Sequence, residues 1–117
     1  MIQGIHHVAI IASSEESVAF YKRLGFTEFF RRERERDVIV LLSGYGVQLE
    51  LFVDPNHPPR DVRPENLGLR HLALKVDNIE LTAKELELEI GTIANDWLGS
   101  RFVFITDPDG LPIELHE

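Results

Sequence analysis

The chain has 117 residues, 44% of them hydrophobic, which is enough to bury the core of one compact domain or of two small halves. A formal net charge of −8 argues against nucleic acid or an anionic membrane as a partner, because both require a basic surface. No cysteine, signal-peptide pattern or apolar run of transmembrane length is present. We therefore expect a cytoplasmic protein without disulfides.

The first half of the chain predicts the element order βαβββ. Apolar and β-branched residues indicate a buried strand over 4–12. A helix is predicted over 14–24, with Gly25 as its stop signal. Three further strands are predicted over 26–33, 37–43 and 46–53.

A polar segment with four prolines, residues 54–67, predicts a linker between two modules, which then span 1–53 and 68–117. The second module repeats the order βαβββ, with its helix over 78–89. Its strands are predicted over 69–76, 91–96, 101–106 and 111–116.

A shift of 64 positions relates the two halves, and no insertion is needed between the aligned segments. Two predicted capping boxes, Ser13 with Glu16 and Asp77 with Glu80, share this shift. The aligned segments are residues 4–10 with 68–74, the turns 43–46 with 107–110, and residues 46–52 with 110–116.

The same shift relates two pairs of metal-ligand residues. His7 and Glu50 lie 43 residues apart, and His71 and Glu114 have the same separation. Strand alternation alone would turn each glutamate toward water. Two glutamates at equivalent positions, each matched to a histidine, instead favour a site for a divalent metal, whose ligands are typically imidazoles and carboxylates.

The other histidines are weaker candidates. His6 aligns with Arg70, which cannot bind a metal, so we interpret His6 as a hydrogen-bonded residue near the start of a strand. His57 lies in the linker and is expected at the surface. His116 shares a strand face with Glu114 and is either a partner of that ligand or an exposed C-terminal residue; we favour exposure.

Several motifs together carry a resemblance to a known family. They are residues 5–10 (IHHVAI), 19–21 (AFY), 24–26 (LGF), 48–51 (QLEL), 69–73 (LRHLA) and 107–115 (DPDGLPIEL). With these motifs the chain resembles the vicinal oxygen chelate superfamily, which contains glyoxalase I, methylmalonyl-CoA epimerase, ring-cleaving dioxygenases and the fosfomycin and bleomycin resistance proteins. The resemblance implies an α+β fold of two tandem βαβββ modules whose mixed sheets curl around a metal-binding cleft.

The resemblance also implies a site and a reaction. Its metal ligands map to His7, Glu50, His71 and Glu114, and this four-ligand set is most similar to glyoxalase I. The implied cofactor is one divalent ion per site, Ni²⁺, Co²⁺ or Zn²⁺, with Mn²⁺ as a further candidate. The implied activity is that of a lyase or isomerase that transfers a proton through a metal-bound enediolate, with Glu114 as the base and Glu50 on the opposite face.

The substrate implied is a small α-hydroxycarbonyl compound or a thiol conjugate. Ile11 stands where glutathione-using members carry a basic residue, which argues against lactoylglutathione itself. Arg60, Arg63 and Arg101 are candidates to bind an anionic substrate or are ordinary surface charges.

Two alternatives are a non-catalytic small-molecule-binding protein of the bleomycin-resistance type and an Fe-dependent extradiol-type dioxygenase. The resemblance further implies a homodimer, with each site formed within one chain or shared between two.

Overall fold

The computed structural model describes residues 1–117 and contains two helices and eight strands. The chain divides into two compact units, Met1–Pro58 and Pro59–Glu117, and each contains one four-stranded mixed sheet. This confirms the predicted α+β class with two tandem βαβββ modules. The elements are β1 (Val8–Ala12), α1 (Glu15–Arg23), β2 (Thr27–Glu33), β3 (Val38–Gly44), β4 (Val47–Val53), β5 (Leu72–Lys75), α2 (Ile79–Glu85), β6 (Ala94–Asn95), β7 (Arg101–Thr106) and β8 (Pro112–His116).

The sheet of the first unit has the strand order β1-β4-β3-β2. β1 pairs with β4 in parallel, and Ala9 lies opposite Glu50. The remaining neighbours are antiparallel. Leu49 and Leu51 on β4 are fully buried, whereas Glu50 between them is only half-buried, because successive side chains leave a strand on opposite faces.

The sheet of the second unit repeats this arrangement in the order β5-β8-β7-β6. Ala73 on β5 lies opposite Glu114 on the parallel strand β8. Both residues are 64 positions beyond their counterparts in the first unit, so the pairing register confirms the repeat at the strands that flank the glutamates. The buried face again belongs to the neighbours of the glutamate, Ile113 and Leu115.

The pairing of β3 with β4 and of β7 with β8 does not follow the shift of 64. The expectation of a repeat without insertion is therefore wrong at β3 and β7. Leu41 lies opposite Glu50 and Phe104 lies opposite Glu114, a difference of 63 positions. The cause is the turn that follows. In the first unit Gly44 pairs with Val47 across a two-residue turn, whereas the second unit has a longer turn between Thr106 and Pro112.

The helices begin one residue later than the predicted capping boxes imply. Ser14, not Ser13, is the N-cap of α1 and its hydroxyl accepts a hydrogen bond from the backbone N–H of Glu16. Asn78, not Asp77, caps α2 by accepting from the N–H of Leu81. Serine, aspartate and asparagine side chains can all accept a hydrogen bond at an N-cap, so either residue of each neighbouring pair could have capped its helix. The observed caps, Ser14 and Asn78, are again 64 positions apart.

Element lengths differ from the predictions at four points. β1 begins at Val8 and β5 at Leu72, several residues after the predicted starts, so His7 and His71 each lie directly before a strand. α2 ends at Glu85, and β6 has only two residues. Neither helix is both long enough and apolar enough to cross a membrane.

Candidate metal centre and cleft

The first predicted pair, His7 and Glu50, forms a direct contact on the face of the first sheet that is not buried. The Nε2 atom of His7 contacts the Oε2 atom of Glu50. The Nδ1 atom of His7 lies 2.9 Å from Nδ1 of His6, so the second ring nitrogen is held by the neighbouring imidazole. Such a contact orients a histidine whose other nitrogen faces a ligand. His6 is therefore a hydrogen-bonded residue at the strand start, as expected.

The second pair, His71 and Glu114, occupies the equivalent place in the second unit. Nε2 of His71 lies 4.0 Å from Oε2 of Glu114, and their side chains are 23% and 16% exposed. Nδ1 of His71 is buried and has no hydrogen-bond partner. A buried polar atom without a partner is unusual in a folded protein.

Each unit thus brings together one imidazole and one carboxylate. No group of three or more His, Cys, Asp or Glu side chains is arranged in the chain so that it could hold one metal ion. The donor types nevertheless fit a divalent cation, because neutral imidazole nitrogen and carboxylate oxygen are its usual protein ligands.

A cleft of about 650 Å³ opens above the second pair. Its volume lies in the range of small-molecule sites. The rings of Phe102 and Phe104 meet edge to face at 5.9 Å between centroids, and His71 meets Phe104 in the same way at 5.1 Å. The lining residues are Arg70, His71, Asn95, Asp96, Trp97, Phe102, Phe104, Glu114 and His116.

His116 belongs to this cleft, so the favoured interpretation of an exposed C-terminal residue is wrong. Its Nε2 atom is hydrogen bonded to Oδ2 of Asp96 at 2.8 Å. This bond raises the pKa of His116 above its usual value and lowers the pKa of Asp96. Sequence separation hid the pair, since Asp96 lies 20 residues earlier, although the alternation of β8 already placed His116 beside Glu114.

The remaining charged candidates have partners or lie at the surface. Arg60 donates to the backbone carbonyls of Leu69 and Arg70. Arg101 forms an ion pair with Glu80, whereas Arg63 is exposed. His57 is also largely exposed, as predicted, and lies 3.5 Å from Asp54.

Sequence analysis missed the aromatic wall of the cleft. Phe102 and Phe104 occupy alternate positions of β7, a spacing that places both on the face of Glu114. That signal was present in the sequence. Nothing in the sequence pattern marked Trp97, which lies in the turn between β6 and β7.

Residues 4–115 match the family model of the Glyoxalase/Bleomycin resistance protein/Dioxygenase superfamily. The chain is 43% identical to Bacillus subtilis YwkD over its whole length and 98% of that protein. It is 44% identical to Escherichia coli YaeR, with 99% of this chain and 97% of that protein covered. Both relatives are named as uncharacterized proteins.

Among solved structures, a glyoxalase family protein from Enterococcus faecalis is 38% identical, with a TM-score of 0.89 and 98% of each chain covered. Two more distant structures share the fold. Lactoylglutathione lyase from Agrobacterium tumefaciens is 23% identical with a TM-score of 0.69, covering 99% of this chain and 94% of that one. A mutant of FosX from Listeria monocytogenes, in a complex with Mn(II) and 1S,2S-dihydroxypropylphosphonic acid, is 17% identical with a TM-score of 0.74, covering 99% of this chain and 93% of that one.

Proposed function

The chain belongs to the Glyoxalase/Bleomycin resistance protein/Dioxygenase superfamily, and we propose that within it the protein is a metal-dependent, glyoxalase I-like enzyme. The reaction is a proton transfer between adjacent carbons of a small α-hydroxycarbonyl compound or thiol conjugate. We also propose the cytoplasm as its location.

The observation that carries this proposal is the repeated His/Glu pair. In both units a histidine directly before the first strand faces a glutamate on the parallel neighbour of that strand. In both units the glutamate is half-buried on the sheet face opposite the apolar core. A solvated surface glutamate would need neither the histidine nor the equivalent register.

The four side chains His7, Glu50, His71 and Glu114 would hold the metal. A divalent ion at this set, Ni²⁺, Co²⁺, Zn²⁺ or Mn²⁺, would polarise the substrate oxygens and so acidify the neighbouring C–H bond. Nε2 of His71 faces Glu114 as Nε2 of His7 faces Glu50, so these are the ring nitrogens that would bind the ion.

Glu114 is the proposed base. Its carboxylate lines the cleft and is 16% exposed at the side chain, so a bound substrate would exclude much of the water around it. There it removes a proton from one carbon and returns it to the next, which leaves the overall composition of the substrate unchanged. Glu50 would act as the acid or base on the opposite face of the substrate.

The proposed assembly is a homodimer in which the two pairs meet. The superfamily resemblance supports it, because modules of related proteins often pair between chains. Ile11 bears on the substrate, since it is 58% exposed on the face that His7 shares and offers no charge to a glutathione carboxylate. Lactoylglutathione itself is therefore disfavoured, and we propose another thiol conjugate or a small α-hydroxycarbonyl compound as the substrate.

Metal analysis combined with turnover tests the proposal. After reconstitution the wild type should hold about one divalent ion per chain and convert methylglyoxal–thiol adducts. Glu114→Gln should lower kcat by roughly 10²–10⁴-fold, because general base catalysis contributes about that much. Glu89→Gln, an exposed glutamate outside the cleft, is the matched control and should be as active as the wild type.

The alternatives give different results in the same experiment. A protein that sequesters a small molecule would take up no metal after reconstitution and would turn over no adduct. An extradiol-type dioxygenase would consume oxygen in an Fe²⁺-dependent manner. Either result would contradict the proposed function.

A further inference from the structure

The turn between β6 and β7 projects an aromatic side chain at the edge of the cleft. Trp97 is the only tryptophan in the chain and is fully exposed. It also lines the cleft that contains Glu114. A fully exposed indole buries little apolar surface in the monomer, and its place in the lining of a cleft makes its ring available to a ligand.

The Asp96 carboxylate and two backbone hydrogen bonds hold this turn. The N–H of Asp96 donates to the carbonyl of Ser100, and the N–H of Gly99 donates to the carbonyl of Asp96. Oδ1 of Asp96 accepts hydrogen bonds from the backbone N–H groups of Leu98, at 2.9 Å, and Ser100, at 2.8 Å. Its Oδ2 atom contacts Nε2 of His116 on β8 at 2.8 Å. Asp96 thus connects the turn to β8, the strand that carries Glu114. The backbone of Trp97 lies between Asp96 and Leu98, which are hydrogen bonded to each other.

Two charged side chains of the cleft, Arg70 and His116, already have partners. Arg70 donates to Glu65 at 2.9 Å, with its guanidinium 6.0 Å from the Phe104 ring. His116 is bonded to Asp96. Besides the proposed metal ligands His71 and Glu114, the lining offers a ligand mainly the faces and edges of three aromatic rings, Trp97, Phe102 and Phe104. Such walls favour a flat apolar group, since offset stacking and edge-to-face contacts add to the burial of apolar surface.

We infer that Trp97 is the specificity-determining residue of this cleft and that the substrate carries an aryl group beside its reacting carbonyl. The inference rests on the proposed function and narrows its substrate class. The aryl ring contacts Trp97, Phe102 and Phe104, while the carbonyl carbon and the adjacent carbon, between which the proton moves, face Glu114. Asp96 acts as a positioning residue through the turn.

Fluorescence of the sole tryptophan tests this placement without turnover. Metal-reconstituted wild type is titrated with mandelate and with lactate, two 2-hydroxy acids that differ in a phenyl and a methyl group. Mandelate should quench the Trp97 emission and bind about fivefold or more tightly than lactate. Equal affinities, or no binding of mandelate, would overturn the inference.

Calorimetric titration of variants assigns the effect to the residue. Trp97→Ala should remove most of the preference for mandelate and leave lactate binding within about twofold of wild type. Leu98→Ala changes an apolar neighbour that is 90% exposed and lies outside the cleft lining, and it should keep the preference. Asp96→Asn should weaken the preference in part, because one acceptor oxygen remains for the turn. A preference that survives in Trp97→Ala would contradict the assignment.

Turnover measurements distinguish a failure of the aryl preference from a failure of the proposed enzymatic function. For phenylglyoxal and methylglyoxal adducts of one thiol, the ratio of kcat/KM values should favour phenyl in the wild type and approach one in Trp97→Ala. Turnover without any preference would remove the inference and keep the proposed function. Mandelate binding at Trp97 without turnover of either adduct would contradict the proposed function and with it the aryl substrate, and would leave only a cleft that binds aryl groups.

Discussion

The two units share their donor pairs and differ in what surrounds them. Ala9 opposite Glu50 and Ala73 opposite Glu114 show one register in both sheets. The strand on the other side of the glutamate presents Leu41 in the first unit and Phe104 in the second. The duplication therefore preserved the proposed metal ligands, while the aromatic cleft belongs to the second unit. Holding a metal and selecting a substrate are in this account separable properties of one fold.

The largest expected effect is restoration of activity when two inactive variants are mixed. His7→Ala and His71→Ala each break one donor pair and should each lose turnover. If the pairs meet across a homodimer, dissociation and reassociation of a mixture creates one intact site in each heterodimer. Roughly a quarter of wild-type activity should return.

A matched mixture controls for this result. His7→Ala mixed with Glu50→Gln damages the same pair twice, so every shared site lacks a ligand and no activity should return. Failure of the first mixture to regain turnover would contradict sharing between chains.

The duplicated core should respond equally in the two units. Leu51 and Leu115 are 64 positions apart, follow the two glutamates and are 0% and 1% exposed. Leu51→Ala and Leu115→Ala should each lower the free energy of unfolding by about 2–5 kcal/mol, since each leaves a cavity. Urea denaturation checks this, and a loss below about 1 kcal/mol at one position would show that the two cores are not equivalent.

A smaller effect is expected at the helix N-termini. Ser14→Ala and Asn78→Ala each remove a side-chain acceptor for a free backbone N–H and should cost about 1 kcal/mol of stability. Ser13→Ala, at the position that the sequence pattern favoured, should cost less. Thermal unfolding of the three variants decides between the two cap assignments.

The smallest expected change in stability comes from an ion pair on β2. This strand has seven residues, whereas its counterpart in the second unit, β6, has two. Hydrogen bonds from Arg31 and Lys22 lower the pKa of Glu28 from 4.5 to about 2. A folded-state pKa below the unfolded value gives stability that is present above pH 4.5 and lost as the pH falls toward 2. Glu28→Gln should therefore destabilise at pH 6 by less than about 1 kcal/mol, because the pair is near the surface, and the difference from wild type should shrink at pH 3. Urea titrations at both pH values measure it.

Local patterns predicted most of the fold. The turn residues and alternating strands near Glu50 and Glu114 correctly indicated the final strands of both modules, because those signals are contained within a few residues. The predicted end of α2 was wrong. Leu88 donates to the carbonyl of Ala83 and Glu87 has a φ of 53°, a conformation that closes the helix and that glutamate rarely adopts.

The features that sequence analysis missed depend on contacts between distant residues. The bond between Asp96 and His116 joins a turn to a strand 20 residues away, and no periodicity reports it. The shift of 63 at Phe104 depends on turn length, which the repeat did not reveal. Both omissions concern the cleft. The four proposed metal ligands could be predicted from the sequence because the duplication repeats the same His/Glu pair in each half.

X-ray absorption spectroscopy of the metal-reconstituted protein tests the meeting of the two pairs most directly. The account predicts one divalent ion per chain with two imidazole nitrogens among its ligands, and with one imidazole in His7→Ala and in His71→Ala alike. An ion that keeps both imidazoles in either variant, or a wild type that binds no ion, would contradict it.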